Sequence, residues 1–127
     1  MLLGKIVLSI STFTFIAYGL ISLFSPAIPA GLASLNMNNG DAYAEIGAMY
    51  GGLQTGIGLF CATALLKPDY YRSGLLLLVL GIGALTLARL VSMLTTQDPL
   101  TAYSYGALTY ELATTLLALA ALLRPAR

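Results

Sequence analysis

The chain has 127 residues, of which 58% are hydrophobic and only 9% charged, with a net charge of +1 and a mean hydropathy of +0.87. Soluble domains carry about 25% charged residues, so this composition belongs to the membrane class. The chain has no His and no basic patch, which excludes nucleic acid as a partner and removes the commonest general base and metal ligand, so neither a metal site nor a cofactor is expected.

Four apolar runs follow, each near the roughly 20 residues that a helix needs to cross the hydrocarbon core. The first is predicted over 5–24 and stops at Ser25-Pro26. A cleaved signal peptide, with Lys5 as its basic region, is the rival reading; the run is too long for it, and cleavage near residues 26–30 leaves an odd number of spans. In this run Ser11, Thr14, Tyr18, Ser22 and Ser25 recur at helical spacing as one hydroxyl stripe, which predicts an inward face. Residues 25–41 form the long outer connection, where Ile28, Leu32 and Leu35 predict a short interfacial helix or a plain connector at the headgroups.

The second run is predicted over 42–66, broken at Lys67-Pro68 because proline disfavours helical geometry in the residue before it. Gly47, Gly51, Gly52 and Gly56 supply two small-xxx-small patterns for helix packing, and Gly58 adds to them. Cys61, alone in an apolar helix, reads as structural. A third run covers 71–95, with Tyr70 and Tyr71 as an aromatic anchor and Gly74, Gly81 and Gly83 as further packing positions. The last is predicted over 99–123, opening on Asp98 as N-cap and Pro99 at the first helical position.

Lys5, Lys67, Arg72, Arg124 and Arg127 all lie at the termini or in the 67–72 turn, whereas the other two connections carry no Lys or Arg. By the positive-inside rule the termini are cytoplasmic. The expectation is thus an all-α integral membrane four-helix bundle, one transmembrane domain over 1–127.

Apart from Lys5 and Arg72 in the first two positions of their runs, three charges fall inside the runs: Glu45, Arg89 and Glu111. Such residues are costly in a bilayer unless paired or hydrated. At about 1.5 Å per residue, Arg89 lies about 9 Å from the outer end of the third run and Glu111 about 18 Å down the fourth. Helical side chains tilt toward their own N-terminus, so the two reach for one another across antiparallel helices and predict a buried pair. Glu45 lies about 6 Å below the start of the second run, near the outer mouth. Two carboxylates with one guanidinium leave a negative excess, which makes one acid a candidate to hold a proton reversibly. Tyr50, Gln54 and Tyr110 complete this candidate cluster, although strict helical phase sets Gln54 half a turn from Glu45.

The cluster has two principal readings: a structural tie between helices, or a ligand or proton site in an outward-facing cavity. Catalysis is the weakest, for no nucleophile with an adjacent base, metal-ligand set or phosphate loop is present.

Residues 45–60 (EIGAMYGGLQTGIGLF), the Arg72-Ser73-Gly74-Leu75 opening with Arg89 later in the same run, and Tyr105-Gly106 followed by Glu111 resemble a bacterial four-helix membrane family. That family is a domain of unknown function grouped with DoxX-like proteins. The resemblance covers nearly the whole chain and implies a four-helix fold in the bacterial inner membrane, with Glu45, Gly51, Gly52, Gln54, Arg89 and Glu111 at the characteristic positions. It implies no activity. The function expected is therefore association, as a homo-oligomer or as an accessory subunit of a membrane complex amid membrane lipid. The alternative is binding or proton-coupled transport of a small or lipophilic molecule through the Glu/Arg/Glu cavity.

Overall fold

The computed structural model describes residues 1–125, so Arg127, one of the basic residues used for orientation, lies outside the described residues. Every regular element among them is helical. We number them α1 (Leu2–Phe24), α2 (Ala27–Leu32), α3 (Gly40–Leu66), α4 (Pro68–Thr95) and α5 (Ala102–Leu123). Four of the five are long and apolar enough to cross a membrane, with 23, 27, 28 and 22 residues in α1, α3, α4 and α5.

The ends of these helices follow from local chemistry. Asn39 caps α3, its Oδ1 accepting from the Ala42 N–H at 3.1 Å. Lys67 is extended (φ −123°, ψ 110°), as a residue before proline should be, and this separates α3 from α4. The short α2 ends in a paired cap: the N–H of Leu35 donates to the Ala30 carbonyl (2.8 Å) and that of Ser34 to Gly31 (3.3 Å). Ser34 takes the left-handed position there, φ 59°, where glycine is the usual residue. The expected start of α5 needs correction. Asp98 and Pro99 lie outside it, and the helix begins at Ala102 after an extended Thr101. The N–H of Asp98 donates instead to Thr96 Oγ1 (3.2 Å), a local turn that competes with helix initiation.

Both α3 and α4 contain a wider, π-helical stretch, Gly47–Gly52 in α3 and Leu78–Ile82 in α4. A π turn absorbs one extra residue and leaves a main-chain carbonyl short of its usual partner. In each helix a threonine three or four residues beyond the stretch bonds one of its carbonyls: Thr55 Oγ1 donates to the Gly51 carbonyl and Thr86 Oγ1 to that of Ile82, both at 2.7 Å. In α4 the widening also keeps Leu78, Ile82 and Thr86, spaced by fours, on one buried face.

The chain falls into two compact units, Met1–Leu8 with Thr63–Arg127, and Ser9–Ala62. Their boundaries lie inside α1 and α3 rather than in a connection. In the first, called here the α4/α5 unit, α5 packs along α4 and buries Glu111, Thr114, Ala118 and Ala121 on one face. Tyr71, expected as an interfacial anchor, is 7% exposed; its ring covers Gly4 and its hydroxyl donates to the Met1 carbonyl (3.3 Å). Tyr70 stays exposed.

In the second, the α1/α3 unit, the two helices approach closely and antiparallel through glycines. A Cβ at Gly51 would meet Leu23 Cα at 3.0 Å, and one at Gly58 would meet Ile16 N at 2.8 Å. Gly19 of α1 lies against Thr55 and the Gly51 carbonyl. The close approach therefore uses Gly19, Gly51 and Gly58. At Gly47 and Gly56 a Cβ would meet nothing within 4 Å, and at Gly52 only the Gly47 carbonyl of its own helix, at 3.8 Å.

Candidate functional site

Arg89 lies in the last part of α4 and Glu111 in the middle of α5. Because α5 starts at Ala102, Glu111 sits about 14 Å into its helix instead of 18, against about 9 Å for Arg89 from the end of α4. The opposed tilts of the two side chains close the remaining gap. Arg89 Nε donates to Glu111 Oε2 at 2.8 Å and Nη2 to Oε1 at 2.7 Å, a fork-to-fork ion pair. The two side chains are 23% and 9% exposed. The Tyr103 ring lies beneath the guanidinium, with its centroid 6.0 Å from Arg89 Cζ, at the outer range of a cation–π contact.

Two further polar residues of α5 lie within one turn of Glu111 in sequence. Thr115 Oγ1 donates to the main-chain carbonyl of Glu111 (2.8 Å), which settles that backbone group. Next to Glu111 in sequence, the Tyr110 hydroxyl is buried and has no hydrogen-bond partner among the described residues. Both oxygens of the Glu111 carboxylate are engaged by one guanidinium. Such a pair ties α4 to α5 through both oxygens of one carboxylate.

The other expected members belong to the α1/α3 unit. Glu45 is exposed and has no ion pair among the described residues. Tyr50 sits in the π stretch of α3, its ring 6.5 Å from that of Tyr18 and tilted by 42°. Gln54 is half-buried. The extra residue in the π stretch alters its phase: the step from Glu45 becomes about 2.2 turns rather than 2.5, nearer a quarter turn than a half.

Tyr103 escaped the sequence reading. It lies eight positions before Glu111, close to two turns, so helical phase alone sets it on the same side of α5. Gly19 escaped too, because the other glycine of α1, Gly4, lies fifteen residues away and the two make no small-xxx-small pattern.

Four long apolar helices with a buried arginine–glutamate pair define an all-helical protein of the kind that suits a membrane. Across residues 3–122 the chain matches the family described as a domain of unknown function, DUF4345, and it belongs to that family. No curated protein and no solved structure matches it.

Proposed function

We propose that this chain is a four-span protein of the bacterial inner membrane, with cytoplasmic termini, that works by association as a homo-oligomer or as a subunit of a larger membrane complex. The observation that carries this reading is the open side of α3. Gly52 and Gly56 are exposed there among exposed Met49, Leu53 and Leu59, and no neighbouring side chain covers Gly56. Small residues let helix backbones approach closely, and apolar residues around them complete such a contact in a bilayer. The basic residues at Lys5, Lys67, Arg72 and Arg124 support the orientation. The DoxX-like resemblance supports the location.

Native mass spectrometry of the protein in lipid nanodiscs tests it. The expected result is a defined assembly that Gly56→Leu reduces to folded monomer, since nothing in the chain itself opposes the added side chain. A wild-type protein that remains a lone monomer in its native lipid overturns it.

A second reading, binding or proton-coupled transport of a small or lipophilic molecule, draws on one observation, the buried Tyr110 hydroxyl, which has no hydrogen-bond partner among the described residues and neighbours Glu111 in sequence. Infrared titration of Glu111→Gln and Glu45→Gln tests it: a titrating carboxyl band must disappear in one of them.

A further inference from the structure

No Lys, Arg, Asp or Glu occurs between Lys5 and Asp41. Within that stretch α2 follows α1 after only Ser25 and Pro26, and main-chain bonds join the two helices. The Ser25 N–H donates to the Ile21 carbonyl (2.8 Å) and the Ile28 N–H to the Ser25 carbonyl (3.0 Å). At about 1.5 Å per residue α2 is about 9 Å long, far short of the roughly 30 Å of a hydrocarbon core. Its two sides differ. Pro29 and Ala30 are buried, with Pro26 and Ala33 half-buried beside them, at the i, i+3, i+4 and i+7 spacing of one helical face. On the other side Ile28 and Leu32 are 50% and 52% exposed, and a Cβ at Gly31 would meet nothing within 4 Å. Leu35, just past the cap at Ser34, stays exposed as well.

We propose that the open side of α2 is a lipid-binding surface, with Ile28, Leu32 and Leu35 resting between the headgroups and the acyl chains of the outer leaflet. The proposal rests on the membrane reading and orientation given above, but not on assembly. Position selects lipid as the occupant. α2 is tied to the end of one helix long enough to cross a membrane, and residues 25–39 carry the chain to the start of another. That keeps α2 at the level where spans leave the bilayer. Chemistry agrees with position, because an uncharged helix with an exposed aliphatic face loses water-facing apolar surface by settling into that boundary. The residues that follow α2 turn polar: Asn36, Asn38 and Asn39 are exposed, and Asn39 caps α3. A second copy of the chain fits less well. The glycines open to close helix approach, Gly52 and Gly56, lie on α3, whereas α2 presents bulky side chains that fluid lipid accommodates without a matched surface.

The chain has no Trp, so single-Trp variants report depth without background. Ile28→Trp and Leu32→Trp put reporters on the open side of α2. Phe13→Trp, at a 76% exposed position in the middle of α1, is the reference for the bilayer interior. Each full-length variant is placed in phosphatidylcholine vesicles whose acyl chains are brominated either near the headgroup or deep, and aqueous iodide is added separately. Ile28→Trp and Leu32→Trp are expected to lose most of their emission to the shallow bromines, less to the deep ones and little to iodide. Phe13→Trp should lose more to the deep bromines. Quenching of both α2 reporters by iodide and not by bromine, with Phe13→Trp still quenched by bromine, overturns the proposal and leaves the membrane reading standing. Protection of the α2 reporters from both quenchers places protein over α2 and overturns it equally. Failure of bromine to quench Phe13→Trp as well removes the membrane reading and the proposal together.

Discussion

The two units differ in which buried polar groups they satisfy, although each has both kinds: Tyr110 of the α4/α5 unit buries an unpartnered hydroxyl, and Thr55 of the α1/α3 unit closes on Gly51. In the α4/α5 unit the strongest charges of the chain's interior satisfy each other: Arg89 grips both oxygens of Glu111, Thr86 closes on Ile82 and Thr115 on the Glu111 carbonyl. In the α1/α3 unit the groups are weaker, yet Ser11 and Ser22 are buried with no hydrogen-bond partner among the described residues. Charge alone is therefore a poor guide to where a membrane helix still wants a partner. A full charge is costly enough that its partner is built in, whereas a neutral hydroxyl costs little enough to be buried unpaired.

The largest expected effect comes from breaking the settled side of this contrast. Arg89→Met strands the Glu111 carboxylate and should cost about 3–5 kcal/mol of stability. Adding Glu111→Leu should restore most of it, because the pair is then replaced by apolar packing. Unfolding in mixed detergent micelles measures both, and a double variant as weak as the single one would remove the charge pair as the cause. Next in size, Gly58→Leu forces a side chain into the Ile16 backbone and should cost about 1–3 kcal/mol. Gly56→Leu, two residues away on the open side, should leave stability unchanged in the same assay.

Smaller effects sharpen what the units share. Thr55→Val and Thr86→Val each leave a π-turn carbonyl without its hydroxyl and should cost about 1 kcal/mol apiece. A loss at one helix only would show that the two widenings are held differently. The smallest change is a gain: Ser34→Gly relieves the left-handed backbone at φ 59° and should stabilise the protein by about 1 kcal/mol, read as a raised Tm.

How much of this was readable in the residues varies with the physics involved. The Arg89/Glu111 pair was readable because depth and side-chain tilt depend only on helical rise, which is nearly constant. Glu45 was harder: its depth was accessible from sequence, but its exposure depends on which neighbours cover α3. The π stretches were hidden, since a surplus of one residue in an apolar run leaves no compositional mark. That omission carried into the phase of Gln54. The expected start of α5 differs by three residues because Asp98-Pro99 is a good opening in isolation, whereas the Asp98 N–H bonds Thr96 Oγ1 in a local turn and the helix begins only at Ala102.

The fork between Arg89 and Glu111 also bears on movement. Two parallel bonds at 2.7 and 2.8 Å tolerate neither rotation of the guanidinium plane nor translation along the helix axis. A slip of α5 past α4 by a single turn, about 5.4 Å, breaks both bonds together and exposes two bare charges. The pair thus behaves as a key in a slot that fixes the register of α5 against α4.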